Sequence, residues 1–426
     1  MDIKKVILFS LLTISMPLMA GEPTRAVKIK ALVSSEDSRL SGQLFHPKLC
    51  PNNVNFLSFV RQEKDNRQLW FYDLLAKELR QISPIEQKES IEDFGESDES
   101  ILFQNYTDQL TWCPVMHGGK QYVAYVCAGK GNNMDIYIHA IGSDIHTRIT
   151  SHQEVDASPT WSPDGKKLAF VSARTGNGDI YMLQDVTQFF GKKITREPRS
   201  KFIRLTKNKN EDMLPSFSPD GQFLAYTTRT KGRRKRGPYT IALINFNDNY
   251  KIQIFNNRIV NSKSHPSWSF DGHFVAYQIS NDLKDQIIDI GVLQLKKDPK
   301  GRLIELTDLV GTVPKIAENI FPNGYDGPSW LPGSRGLIYA KRESKRLNPL
   351  EIVNLEQWLY NQKYKRNVIR TKSSIHRDVS CLADHPIVVF AGQTGLTYKI
   401  FAAFLKGSDI ILKDKQVDVQ KYEIFQ

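Results

Sequence analysis

A short sequence pattern recurs along the chain, and this repetition limits the possible folds more than any other feature. Three copies, at 159–171, 215–227 and 266–278, share a proline, a serine or threonine, an aromatic residue, a serine, Asp-Gly and a final apolar run. A fourth copy at 328–340 keeps the spacing with an altered turn, and weaker copies flank these four. Such repetition indicates units that bury their apolar faces against one another.

Each copy has the chemistry of a β-hairpin. Within Ser162–Gly165, proline presets one turn dihedral, aspartate bonds neighbouring amides and glycine accepts a positive φ. Apolar segments follow the hairpins and predict a third and a fourth strand, as at 180–183 and 203–206 in the third unit. The segment 349–364 shows apolar residues near helical spacing, which predicts a short helix inserted in the sixth unit.

Four antiparallel strands per unit predict an all-β fold, a β-propeller of four-stranded blades. Such a unit cannot bury both faces alone, and radial stacking leaves only short edges. We predict seven blades, with six as the alternative, and a ring closed by an N-terminal strand at 27–33 or a C-terminal strand at 417–420. The repeats begin near Phe45, Leu110, Ala157, Met213, Ser264, Asp326 and Asp378.

The pattern resembles the TolB-like propeller repeat, in which Pro-Ser-Trp-Ser-Pro-Asp-Gly opens a blade and an Asp-Ile-Tyr-like strand follows. The resemblance is strongest in the third to fifth units and covers most of the chain after residue 20. TolB carries an α/β domain ahead of a six-bladed propeller, and too few residues precede the first repeat here to form one. The resemblance therefore implies a TolB-like propeller without that domain, and it leaves a role in the Tol–Pal system open.

The first twenty residues predict export. Two lysines precede an apolar run at 6–19, and small residues follow at Ala20–Gly21, which are the features of a signal peptide at 1–20. The apolar run is too short to span a membrane, and no later segment is long and uncharged enough. We predict that 21–426 forms a single propeller domain, monomeric and periplasmic or secreted. Core thiols and one or two disulfides both remain open for Cys50, Cys113, Cys127 and Cys381.

An acidic residue stands four or five positions ahead of the inner-strand aromatic residue in four of the units. Because the inner strands line the central channel, we expect these carboxylates to ring its mouth. Two roles remain open, namely capping of backbone amides at the turn between blades, or binding of a cation or an amine. The four residues are Asp108, Asp156, Asp212 and Asp326.

Two basic loops are predicted on the same face as the channel mouth. Six of the eight residues at 229–236 are basic, and a second basic run occupies 341–346. Such runs are ordinary in solvated loops, but with a net charge of +12 they also favour an envelope protein or an anionic polysaccharide as partner. Export and the lack of interleaved aromatic residues argue against nucleic acid. The predicted binding residues are Arg229, Lys231, Arg233, Arg234, Lys235, Arg236, Lys341 and Arg342.

The sequence contains no motif of a serine hydrolase, a zinc protease or a phosphate-binding loop. The alternative enzymatic interpretation is a metal-dependent polysaccharide lyase, since oligogalacturonate lyases are similar in having a seven-bladed propeller with a histidine-rich metal site. Against it, His265 is predicted at a blade start and His385 near a hairpin turn on the opposite face. We therefore predict a binding scaffold with no catalytic residue, no metal ligand and no cofactor, and we leave a cation at the channel mouth open.

Overall fold

The strands of the computed structural model form seven antiparallel sheets, which are the blades of a propeller. The structure describes residues 24–64, 66–83, 87–88, 109–128, 134–230, 237–255, 262–280, 287–298, 303–309, 328–341, 349–355, 358, 367–373, 375–407, 410 and 422–425. The prediction of an all-β propeller with seven blades is confirmed, and the six-bladed alternative is wrong.

The first four blades follow the chain after β1 (Arg25–Ser34), each with its first strand innermost. Blade 1 has β2 (Gln43–Cys50), β3 (Asn53–Glu63), β4 (Asn66–Asp73) and β5 (Glu78–Gln81), and β6 (Gln87–Lys88) also pairs with β4. Blade 2 has β7 (Leu110–Trp112), β8 (Tyr122–Ala128), β9 (Met134–Ala140) and β10 (His146–Arg148). Blade 3 has β11 (Asp156–Trp161), β12 (Leu168–Ser172), β13 (Asp179–Leu183) and β14 (Phe202–Arg204), and blade 4 has β15 (Asp212–Phe217), β16 (Phe223–Arg229), β17 (Tyr239–Asn245) and β18 (Lys251–Ile254).

The remaining blades keep this order until the last one, whose outer strand comes from the other end of the chain. Blade 5 has β19 (Ser262–Trp268), β20 (Phe274–Ser280), β21 (Ile287–Lys297) and β22 (Leu303–Asp308). Blade 6 has β23 (Ser329–Trp330), β24 (Gly336–Ala340), β25 (Leu350–Asn354) and β26 (Asn367–Ile369). Blade 7 has β27 (Ile375–Cys381), β28 (Ile387–Thr394), β29 (Thr397–Lys406) and finally β1.

The N-terminal strand β1 closes the ring. It pairs antiparallel with β29, from Arg25 opposite Lys406 to Ser34 opposite Lys399, and so supplies the fourth strand of blade 7. Of the two closures that the sequence left open, the N-terminal one is therefore present. The other predicted strand, at 417–420, lies outside the described residues.

Inner-strand tryptophans join neighbouring blades. The indole N–H of Trp161 donates to Thr111 O at 3.2 Å, and that of Trp268 donates to Ser216 O at 3.0 Å. The same bond runs from Trp112 to Lys48 O and from Trp330 to Ser267 O. All four rings are buried between sheets. The aromatic residue of the repeat thus packs against the preceding blade and also saturates one of its backbone carbonyls.

The hairpin turns have the chemistry that the repeat predicts. Gly165 adopts a φ of 65°, and its N–H donates to Ser162 O at 2.8 Å. Asp164 accepts a hydrogen bond from Lys166 N at 3.1 Å. A Cβ on Gly165 would lie 2.7 Å from the Cys113 sulfur of blade 2, so the turn needs glycine for close packing as well as for its φ.

The prediction of a helix across 349–364 is wrong at its start, because 350–354 is the third strand of blade 6. Leu355 and Trp358 have helical conformation and are buried in the cluster shared by blades 5 and 6. Over the described part of the chain, no helix is long and apolar enough to cross a bilayer.

Candidate functional site: the blade-connection face

One face of the ring, here called the blade-connection face, carries the connections between blades and the loops between the second and third strands. In blade 3, Asp156 pairs with Ser172, and Ser172 pairs with Asp179. The start of β11, the end of β12 and the start of β13 therefore lie together on this face. The predicted binding residues that the structure describes, Asp156, Asp212, Arg229 and Lys341, lie at strand ends of this face.

The inner strands begin with a bulge on this face. In five blades, a non-glycine residue with a left-handed φ of 48° to 56° lies within the register shift that marks the bulge. Asp378 accepts the N–H of His46 at 3.2 Å, and Thr227 accepts the N–H of His265 at 3.3 Å. Gln109 accepts the N–H of Ser158 in the same way. The bulge residues are His46, Ser158, Leu214, His265 and Asp378.

These bulges are held by the blade behind them, and the sequence analysis missed them. A left-handed non-glycine residue costs about 1–3 kcal/mol and persists only where its surroundings hold it. Here a side chain of the preceding blade accepts the exposed N–H in three of the five cases. The available signal was a proline directly after the bulge residue in four of the repeats.

Three of the bulge residues, His46, Ser158 and Leu214, line a small polar cavity of about 120 Å³. Its lining includes His46, Lys48, Gln109, Ser158 and Leu214. Lys48 Nζ donates to Leu110 O at 2.8 Å, and His46 Nε2 lies 3.5 Å from an Asp378 oxygen. Pockets that enclose a small organic ligand are usually about 300–1,000 Å³. The cavity therefore has room for ions, water or a single protruding side chain.

Two of the four predicted acids, Asp156 and Asp212, are described, and both occupy the first position of an inner strand. Both are fully buried. Arg174 lies 3.1 Å from Asp156, and Asn208 Nδ2 donates to Asp212 at 3.0 Å. Burial raises the pKa of Asp212 to about 6 and also raises the pKa of Asp156. Asp108 and Asp326 lie outside the described residues.

A threonine after each outer strand links the two acids to the preceding sheet. In blade 3, Thr206 Oγ1 accepts the N–H of Ile180 at 2.9 Å and donates to Asp179 at 3.3 Å. The same hydroxyl can donate instead to Asp212 of blade 4, and that hydrogen bond lowers the pKa of the Asp212 carboxyl against the effect of burial. Thr150 bridges Asp135 and Asp156 likewise. The acids at the blade starts thus belong to a network that joins neighbouring blades.

Two of the eight predicted basic residues, Arg229 and Lys341, are described, and each has an acidic partner. Arg229 lies 3.0 Å from Glu211, with its guanidinium 4.8 Å from the centre of the Tyr239 ring. Lys341 Nζ lies 3.1 Å from Glu351. Part of the basic character is therefore neutralised within each blade. The residues outside the described part of the chain are Lys231, Arg233, Arg234, Lys235, Arg236 and Arg342.

The three histidines that directly precede a proline lie in two kinds of place. His46 and His265 occupy equivalent bulge positions in blades 1 and 5, whereas His385 hydrogen-bonds Tyr422 at 3.0 Å beside the first hairpin of blade 7. Among the residues that the structure describes, no three histidine, cysteine or acidic side chains are grouped so as to hold a metal ion. The four cysteines are free thiols, and burial raises the pKa of both Cys50 and Cys113 to about 11.

Comparison with known proteins shows TolB-like sequence in a short segment. No protein-family model matches the chain. It is 48% identical over 67 residues to the Tol-Pal system protein TolB of Xanthomonas oryzae pv. oryzae, and 43% identical over 51 residues to the protein TolB homolog of Chlorobium luteolum. These matches span 15% and 12% of this chain, and the same shares of the two relatives. The predicted TolB-like repeat is confirmed at this level.

Solved structures extend the likeness to the fold of almost the whole chain. Oligogalacturonate lyase from Vibrio parahaemolyticus superposes with a TM-score of 0.55 at 12% identity, covering 90% of this chain and 98% of the lyase. At that identity the likeness shows the propeller fold alone.

Proposed function

We propose that the chain is an exported, non-catalytic scaffold that binds an envelope protein or an anionic glycan through its blade-connection face. The observation that carries the proposal is how the charged side chains of that face are paired and how small its cavity is. Among the residues that the structure describes there, Asp156, Arg229 and Lys341 are each held in an ion pair, and the face encloses a cavity of about 120 Å³. A cavity of this size, among charged side chains already paired within the protein, suits recognition of a partner's surface better than enclosure of a substrate.

The TolB-like segment supports an envelope partner. The relatives that carry this sequence are TolB proteins, one of them named for the Tol-Pal system. Because each match spans at most 15% of the relative, we extend to this chain only the coarse role of an envelope-associated binding protein. The signal peptide predicted at 1–20 is consistent with that location.

The basic loop at 229–236 is the proposed contact for the acidic side of the partner. Arg229, at its base, is fixed by Glu211 and by the Tyr239 ring. The sequence places five more basic residues between Thr230 and Gly237, and we propose that their charge adds to this contact. Contacts of this kind accelerate association and weaken as salt screens them, with a screening length of about 8 Å at physiological ionic strength.

The proposal is tested by affinity capture from an envelope extract with the mature chain as bait. A triple variant, Arg233→Glu, Arg234→Glu and Arg236→Glu, should lose at least about 10-fold of the captured partner, since three attractive contacts become repulsive. The matched control reverses three exposed lysines on the opposite face, Lys120, Lys166 and Lys193. The control should capture as much partner as the unmodified chain at low salt.

Equal capture by the two triple variants would refute the basic loop as the contact. Elemental analysis and a lyase assay on polygalacturonate test the non-catalytic part of the proposal separately. One bound metal ion per chain together with a rise in the absorbance of unsaturated products would make the protein an enzyme and overturn that part.

A further inference from the structure

A groove of about 670 Å³ lies between blades 6 and 7, away from the channel. Its floor is apolar and comes from Ile29 and Ala31 of β1 and Phe401 of β29. One wall is the connection at 370–373 between the two blades, and the other is the tip of the hairpin between β28 and β29. A concave site of this volume, with an apolar floor and a few polar groups, is typical of pockets for small organic ligands.

The walls of the groove are predominantly basic. Arg370, Lys372 and Lys399 line it together with a single acid, Glu36. Glu36 lies 3.4 Å from Lys399 Nζ, and its side chain is 65% exposed. An exposed ion pair of this kind contributes little to stability. A carboxylate on a ligand can therefore take the place of Glu36 beside Lys399 at small cost.

The wall at 370–373 is held in place before any ligand arrives. Thr394 Oγ1 donates to Lys372 O at 3.4 Å, and Ser373 N donates to Thr371 Oγ1 at 2.9 Å. Thr371 Oγ1 also lies 2.8 Å from His376 Nε2, on the buried inner strand of blade 7. Because the backbone that carries Lys372 is already ordered, binding there does not have to order it.

Hydroxyl groups complete the lining and indicate the class of ligand. Thr371, Ser373, Thr394 and Thr397 all line the groove. A hydroxyl has one donor and two acceptor sites, so those already bonded within the protein keep capacity for a ligand. The lysines can bind a carboxylate, the hydroxyl groups can bond ligand hydroxyls, and the apolar floor can contact the C–H face of a ring. This combination matches an acidic sugar better than an acidic peptide.

We propose that the groove between blades 6 and 7 binds an acidic saccharide, with its carboxylate between Lys372 and Lys399 and its ring against Ile29 and Phe401. The groove belongs to the blade-connection face, because its walls are a connection between blades and a loop between second and third strands. The inference therefore rests on the proposed function and deepens it by naming the class of ligand, at a site separate from the loop at 229–236.

The test is calorimetric titration of the mature chain with trigalacturonate, an acidic trisaccharide, and with maltotriose, a neutral one. Trigalacturonate should bind more weakly at 200 mM than at 20 mM salt, because salt screens the attraction between its carboxylates and the lysines. Maltotriose should bind at least ~10-fold more weakly than trigalacturonate. The double variant Lys372→Glu and Lys399→Glu should lose at least ~10-fold in affinity for trigalacturonate. A second variant, Thr397→Trp, should block the groove without a change of charge.

The control variant carries Lys120→Glu and Lys166→Glu on the opposite face and should bind as the unmodified chain does. Thermal melts establish that each variant is folded. Absence of trigalacturonate binding, equal binding of maltotriose, or full affinity in both groove variants would overturn the proposal. The Arg233, Arg234 and Arg236 triple variant should keep its affinity for trigalacturonate, so failure of the loop contact and failure of the groove are distinguishable. If a Glu-rich peptide titrates the groove and trigalacturonate does not, the site is a peptide site and the saccharide proposal is wrong.

Discussion

At the scale of single residues, one indole N–H group ties a blade to the one before it in four of the seven blades. Four inner-strand tryptophans donate to a backbone carbonyl of the preceding blade. A buried carbonyl that loses its donor costs about 1–3 kcal/mol. Blade 4 has Phe217 at the equivalent position, which fills the space between the sheets without supplying that bond. An aromatic ring thus fills this position in blades 2 to 6, and the hydrogen bond is an addition in four of them, whereas blades 1 and 7 have Leu49 and Cys381 there.

The stacked imidazoles of His139 and His146 make blade 2 sensitive to acid. The ring centroids lie 4.1 Å apart, and Tyr125 OH lies 2.7 Å from His146 Nδ1. Burial, followed by the charge that His146 would carry, lowers the pKa of His139 to about 4 from the usual 6.5, while the backbone oxygen of Ile145 and the charge of Asp144 act in the opposite direction.

This arrangement predicts that the free energy of unfolding falls by about 2 kcal/mol between pH 7 and pH 5 through His139 alone. In that window the unfolded chain binds a proton at His139 and the folded chain does not, so stability is present above pH 6.5 and is lost as the pH falls towards 4. The raised pKa of Asp212 acts in the opposite direction over the same pH range, so the loss is measured by denaturant titrations at both pH values as the difference between the unmodified chain and His139→Phe. His139→Phe should remove most of it, whereas His273→Asn, at an exposed histidine, should leave it unchanged. An identical pH dependence in the two variants would contradict the assignment.

The site residues show how far sequence reasoning reaches. The positions of Asp156 and Asp212 at the blade starts followed from the repeat, because each lies five residues before the inner-strand aromatic residue. Their partners did not follow from it, because Arg174 and Thr228 lie on the neighbouring strand or loop at separations that depend on loop length. Glu211 was closer to being predictable, since it directly precedes Asp212 and so had to lie near Arg229 at the end of the paired strand.

At the scale of elements, β1 differs from the other outer strands. It has ten residues, whereas the outer strands of blades 2, 3 and 6 have three each. Its side chains alternate only partly between core and solvent. Val33 is buried against Leu44 and Ile400 at the junction of blades 7 and 1, whereas Val27 is 45% exposed.

We expect the closing strand to tolerate a charge at one end and not at the other. Val33→Asp should lower the free energy of unfolding by at least about 3 kcal/mol, because a carboxylate would be buried at the ring closure without a partner. Val27→Asp introduces the same group on the same strand at an exposed position and should cost under about 0.5 kcal/mol. Denaturant unfolding measures the free energy of unfolding of both variants. Similar losses in the two would show that β1 is not needed for ring stability.

The misread element in blade 6 has a simple cause. Leu350 and Val353 are three positions apart, which fits one face of a helix, but Leu350, Ile352 and Val353 are also a buried strand. A short apolar run does not distinguish the two by spacing alone. The blade decides in favour of the strand, because β24 needs a hydrogen-bonding partner on its outer side.

At the scale of the whole molecule, the seven sheets form one closed unit, since each blade packs its core against both neighbours and β1 joins the last blade to the first. The six tryptophans can report on this cooperativity, because none of them lies in blade 7. Five lie in other blades, and Trp358 follows the third strand of blade 6.

Phe390→Ala in blade 7 therefore tests whether the ring unfolds as one unit. Phe390 is fully buried, so the truncation should cost about 3–5 kcal/mol. Tryptophan fluorescence and far-UV circular dichroism should shift together to lower denaturant concentration, although no tryptophan lies in blade 7. Leu396→Ala, at a 93% exposed residue of the same blade, should leave both curves in place. A fluorescence transition that does not move with the dichroism would show that blade 7 unfolds independently.

Closure by β1 also constrains the order in which the parts of the propeller can fold. Ser35, at the end of β1, accepts a hydrogen bond from Tyr398 N, 363 positions later in the sequence. A chain made from its N-terminus onward must therefore produce the first strand of the propeller long before the edge that receives it exists. Blades 1 to 6 can assemble in the meantime from contacts within and between neighbouring repeats. The ring can close only after the last repeat has been synthesised. A chain truncated before blade 7 would therefore leave both β1 and the face of blade 1 that packs against blade 7 open to association with other chains.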